Sequence, residues 1–149
     1  MNNIFFTKQG LDKVKQEHEE LTLKRKDAVS TLKRAREMGD LSENGLYKAA
    51  KFELGNIDRN LRRLTHFINK GVIAVKPTGK VGIGSKVWVA EGENKKEFQI
   101  VGDFEANPRE NKISSNSPLG KALMDMQEKE VFKIETPGGK KSYKILKIT

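Results

Sequence analysis

The chain has no cysteine and only two histidines, His18 and His66. The first absence removes disulfides and thiolate metal sites. The second leaves too few imidazoles for a zinc centre or a histidine triad. Long apolar runs are also missing, and nothing approaches the ~20 residues of a membrane-spanning helix. The opening MNNIFFTKQG has no basic segment followed by an apolar stretch, so no signal peptide is expected. These absences point to the cytoplasm. Of 149 residues, 36% are hydrophobic and 33% charged, so the core must be modest. A charged rod joined to a small globule fits that balance better than one compact body.

Positive charge is plentiful. The formal net charge is +9. Residues 1–75 carry 15 Lys and Arg against 10 Asp and Glu, and residues 76–149 carry 14 against 10, so both halves are basic. Such a surface suits a polyanion, nucleic acid above all, and equally serves solubility.

Between residues 11 and 35, Leu11, Val14, His18, Leu21, Arg25, Ala28, Leu32 and Ala35 recur at alternating spacings of three and four. Tyr47, Ala50, Leu54, Ile57, Leu61, Leu64 and Ile68 repeat the pattern. Both are coiled-coil seams, with His18 and Arg25 as polar interruptions that set register or rim. A joining segment of about ten residues around Gly39 makes the helices antiparallel neighbours. An arm of 25 helical residues is about 37 Å long. Thr7 is placed to cap the first helix and Gly39 to terminate it.

The second half changes period. VIAV, SKVWVA, EFQIVG, NKISS, EVFKIET and KSYKILKIT read as short strands separated by turns, and PGGK as a hairpin loop. Ser117-Pro118 is a cap followed by proline at the first helical position, opening one short helix. Trp88 and the apolar residues beside it read as core. The expected architecture is α+β: an antiparallel helical hairpin over residues 1–75, with an acidic tip at 37–46, then an antiparallel sheet with one short helix over 76–149.

The tip, REMGDLSENGLY, sets Asp40 and Glu43 three residues apart in a basic chain. Two readings stand side by side. Asp40 can cap the second helix with Glu43 completing a capping box. Alternatively, carboxylates on one face of a turn can bind a hard cation such as Mg²⁺, weakly unless another macromolecule supplies further ligands. Lys33, Arg34, Arg36, Lys48 and Lys51 lie near the pair, either to contact phosphates or as an ordinary solvated surface.

AREMGDLSENGLYKAA resembles the tip signature of the bacterial Gre transcript cleavage factors, the GreA branch above all. FQIVGDFEANPRENKISSNSPLGKAL and IETPGGKKSYKILKI resemble that family's C-terminal domain. The resemblance implies an FKBP-like second domain that docks on the rim of the secondary channel of bacterial RNA polymerase, with Ser117 and Pro118 matching the docking motif. It implies that the hairpin enters the channel and that Asp40 and Glu43 help hold a Mg²⁺ shared with the polymerase and position a water. Leu41, Ser42, Asn44 and Tyr47 would support the tip. The polymerase would then cleave the 3′ end of backtracked nascent RNA. The factor would be an accessory rather than an enzyme, monomeric, without a tightly bound cofactor, and nucleoid-associated only through the polymerase. Gly45 and Leu46 stand where family members often carry alanine and a third acid. The rival readings are a paralogue that plugs the channel without cleavage and a basic coiled coil that binds nucleic acid directly.

Overall fold

The computed structural model describes residues 3–39 and 44–149. Strand β1 (Ile4–Phe6) is followed by helix α1 (Lys8–Arg36) and helix α2 (Gly45–Lys70). Then come β2 (Gly71–Ile73), β3 (Lys86–Glu91), β4 (Asn94–Val101), β5 (Lys112–Ser114), helix α3 (Pro118–Leu123), β6 (Val131–Thr136) and β7 (Gly139–Ile148). The contacts divide the chain into two units. One is Leu11–Gly71; the other joins the segment up to Gly10 with Val72–Thr149. The chain therefore passes between units twice, where the sequence suggests one boundary near 75/76.

In the hairpin unit every expected seam position is buried or half-buried except Arg25. Ala28, Ala35, Ala50, Ile57 and Leu64 are buried, as is Phe67 beside the seam. The two polar interruptions are answered from the other helix. Arg25 Nε donates to Asp58 Oδ1 at 2.6 Å, and His18 Nε2 lies 3.1 Å from Thr65 Oγ1. The short charged contact draws the Asp58 carboxyl below the usual aspartate range, the Arg25 hydrogen bond being the main cause.

The sheet unit orders its five strands β5-β4-β3-β7-β6. Its core is Val81, Val87, Val89, Ile100, Leu123, Phe132 and Ile145. The strands expected from the sequence are present, and β6 and β7 close tightly at Thr136 and Gly139, whose φ of +112° suits glycine. Three findings differ from the sequence reading. The β4–β5 pairing is parallel rather than antiparallel. Two short 3₁₀ turns at Asp103–Glu105 and Pro108–Glu110 carry the chain back across, so β5 runs in the direction of β4. Trp88 is not core: it is 40% exposed, while Val87 and Val89 are buried. Alternate side chains of a strand point to opposite faces, so the valines that fill the core turn Trp88 outward.

The third difference is β1, which the sequence reading missed. It pairs with β2 in a separate two-stranded sheet. Glu105 anchors it: Oε2 accepts the N–H of Thr7 at 2.8 Å and of Gly102 at 3.2 Å, and Oε1 accepts the Thr7 hydroxyl. Thr7 Oγ1 in turn accepts the Gly10 N–H at 3.0 Å, capping α1 as expected. Gly102 lies against the Phe5 carbonyl and leaves no room for a Cβ.

Two outcomes follow from these contacts. Glu105→Ala strips three donors of their acceptor and should cost roughly 1–3 kcal/mol, seen as faster amide exchange at Thr7 and Gly102 and a lower melting temperature. Because the Asp58 carboxyl is drawn down in the folded state, its contribution is full above the ordinary aspartate value near 4 and is lost as pH falls through the lowered folded value. Asp58→Asn should therefore melt below the parent at neutral pH, with the gap closing in acid. Thermal melts of both proteins across that range check it.

Candidate functional site

The last turn of α1 carries Lys33, Arg34 and Arg36, where cations favour the negative end of a helix. The helix then unwinds. Glu37 N–H donates to the Lys33 carbonyl and Met38 N–H to the Ala35 carbonyl, each at 3.2 Å. Gly39 has φ +120°, a conformation that suits glycine, so it ends the helix as the sequence suggests. Asp40, Leu41, Ser42 and Glu43 lie outside the described residues.

Helix α2 begins at Gly45. Its N-cap is Asn44, whose Oδ1 accepts the Tyr47 N–H at 3.1 Å, so the N-cap position that the capping reading gives to Asp40 is held by Asn44. Asparagine caps as well as aspartate, and it adds what aspartate lacks. The Asn44 Nδ2 donates to the Ala35 carbonyl at 2.7 Å, so one side chain starts α2 and satisfies the end of α1. Tyr47 is half-buried beneath the Arg36 guanidinium, 5.8 Å from its ring centre, a cation–π contact. Gly45 has no neighbour that a Cβ would meet, and Leu46 is exposed.

The five basic candidates are all exposed. Lys33 and Arg36 are three residues apart and share one face of α1; Lys48 and Lys51 do the same on α2. Arg34 is turned roughly 100° from Lys33 around the axis and does not join them. The helix dipole accounts for cations at the end of α1 but not for Lys48, near the positive end of α2, whose first turn holds no acid.

At the second candidate, Ser117 is the N-cap of α3. Its Oγ accepts the Gly120 N–H at 3.0 Å and donates to the Ser114 carbonyl at 2.7 Å. Its hydroxyl is thus engaged within the fold, and the exposed side chain there is Pro118. Asn116 fixes the preceding loop by donating to both Asp103 oxygens, at 3.0 and 2.8 Å. Neither Asp103 nor Asn116 carries a sequence signal that would have marked it.

Among the described residues no three His, Cys, Asp or Glu side chains converge to hold a metal ion. No helix among them is long and apolar enough to cross a membrane.

Residues 4–73 match the family model described as transcription elongation factor, N-terminal, and residues 76–149 match transcription elongation factor, GreA/GreB, C-term. The chain belongs to the GreA/GreB family of transcription elongation factors. Curated relatives agree. A transcription elongation factor GreA of Staphylococcus epidermidis is 40% identical over 95% of this chain and 94% of its own. That of Clostridioides difficile is 38% identical over 97% and 95%. Among solved structures, the GreA factor homolog 1 (Gfh1) of Thermus thermophilus is 28% identical and covers 99% of each chain, with a TM-score of 0.48. The function of this GreA/GreB chain is accordingly in transcription elongation.

For this GreA/GreB chain, the double role of Asn44 has a testable consequence. Asn44→Asp keeps the acceptor for Tyr47 and removes the donor to Ala35, so it should destabilise the hairpin end by about 1 kcal/mol. Asn44→Ala removes both and should cost more, with the lost cap alone worth about 0.5–2 kcal/mol. Amide exchange at Tyr47, faster in the alanine variant than in the aspartate one, separates the two contributions.

Proposed function

We propose that the hairpin end carries Asp40 and Glu43 through the secondary channel of bacterial RNA polymerase to its active site, where they promote cleavage of the 3′ end of backtracked RNA. The observation that carries this reading is the position of the α2 cap. With Asn44 starting the helix, neither acid is needed for capping, and a second role for the pair gains weight.

The donor chemistry fits the ion. Two carboxylates are hard oxygen ligands suited to Mg²⁺, and two are too few for a free-standing site. Asp40 and Glu43 would therefore complete a coordination shell begun by the polymerase. The ion, when bound, supplies charge stabilisation and a more acidic water at the phosphodiester. A carboxylate not occupied by metal can orient that water by accepting its proton in a hydrogen bond. Lys33, Arg36, Lys48 and Lys51 favour approach to phosphates, which the two acids alone would repel. Pro118 and the α3 start, held rigid by Ser117, are the proposed docking point on the channel rim. Without polymerase the chain supplies neither the remaining ligands nor a nucleophile, so it acts as an accessory factor.

The test uses a stalled bacterial elongation complex, in which added protein should shorten the RNA from its 3′ end. Asp40→Asn and Glu43→Gln should melt like the parent and still bind polymerase. Their stimulated cleavage should fall at least tenfold, on the order expected for losing a metal contact, and recover in part at high Mg²⁺ or Mn²⁺. Unchanged cleavage in both variants would sink the metal role. Polymerase binding with no cleavage by the parent would favour a factor that only occupies the channel.

A further inference from the structure

The outer face of the five-stranded sheet is built unlike an ordinary solvated surface. The strand register puts Trp88 at its centre. Trp88 lies directly opposite Lys147 on β7 and Glu97 on β4. Lys86 precedes it by two positions on the same face of β3. Ala90 follows by two, and opposite Ala90 stand Lys144 on one side and Lys95 on the other. Of these lysines Lys147 directly opposes the indole, at the Cβ spacing of about 4.5–5.5 Å usual for such a pair, while Lys95 and Lys144 are diagonal neighbours at about 7–8 Å, within reach of long side chains. Lys133, opposite Ser142, extends the same face onto β6. All five lysines are exposed, and among the described residues none is in an ion pair. Glu97 is the single acid beside the tryptophan. The small Ala90 side chain leaves the indole accessible on that side.

A large aromatic ring left 40% exposed within a ring of unneutralised lysines is poorly explained by folding. The ring leaves about two-fifths of its surface in water, and the like charges repel one another. The same combination is what single-stranded nucleic acid recognises: an aromatic platform for a base and cations for the backbone on either side. A duplex cannot use the platform, because its bases are already stacked. We propose that this face is a binding site for single-stranded RNA, with a base stacked on Trp88 and the flanking phosphates held by Lys86, Lys95, Lys144 and Lys147. The choice of RNA rests on the chain being a transcription elongation factor, which works beside a single-stranded transcript. It does not depend on the metal role of Asp40 and Glu43.

Trp88 is the chain's one tryptophan, so the site carries its own probe. A short oligouridylate titrated into the full-length protein at low salt, without polymerase, should quench Trp88 emission to saturation. The logarithm of the affinity should fall with the logarithm of salt by about 0.7 for each lysine engaged. Trp88→Val should weaken binding of a labelled oligouridylate about tenfold or more by anisotropy. Lys144→Gln with Lys147→Gln should make the salt slope shallower by about 1.4. These surface lysine changes decide the matter if the tryptophan variant melts abnormally. RNA binding that leaves Trp88 emission and both variants unaffected belongs to the hairpin lysines and overturns the proposal. Equal or tighter binding of duplex RNA or oligothymidylate overturns the assignment to single-stranded RNA. Equal quenching by polyglutamate makes the face one for an acidic protein and overturns it too. Because polymerase is absent, none of these outcomes bears on stimulated cleavage.

Discussion

Three contacts hold α1 and α2 in a single register, and the pairing of the two helix ends depends on it. His18 meets Thr65, Arg25 meets Asp58, and Arg36 covers Tyr47. Seven residues along α1, then eleven more, correspond to the same steps backwards along α2. Apolar seams alone tolerate a slip of one heptad, since alanine and leucine positions repeat. A slip here would leave the Arg25 guanidinium and the His18 ring without their partners. The exposed ion pair contributes little to stability by itself. Its value is in excluding other registers and so fixing where the tip falls.

That register brings the end of α1 and the start of α2 level, so one side chain can serve both. Asn44 accepts from Tyr47 and donates to Ala35, which aspartate in its place could not do. The amide thus serves both helix ends at once. Acids near a helix start are ordinarily explained by the dipole and the cap. Here that explanation is taken up by a neutral residue, and Lys48 stands where the dipole favours an acid.

The sheet unit rests on a comparable constraint. Val87, Val89 and Ile145 must face α3 and Phe132 to make a core, and strand alternation then leaves no inward place for Trp88. The N-terminal strand is tied to the same unit through Glu105, far away in sequence. A residue at the edge of a 3₁₀ turn thereby links the beginning of the chain to its second half.

Periodicity in the sequence was enough to determine the paired helices, their seams, the Thr7 and Ser117 caps and the main strands, because each depends on residues within a few positions of one another. The match to the GreA/GreB tip was likewise legible in one continuous stretch. Tertiary structure decided what depends on distant partners. Asp58 and Thr65 became partners of Arg25 and His18 only across the hairpin. The second role of the Asn44 cap, its Nδ2 donating to the Ala35 carbonyl, arose only once the two helix ends came together. The direction of β5 followed from a crossover, and the outward turn of Trp88 from which neighbours filled the core. A sequence pattern shows that a residue is apolar or charged; which surface it faces is fixed only when the strands and helices have chosen their partners.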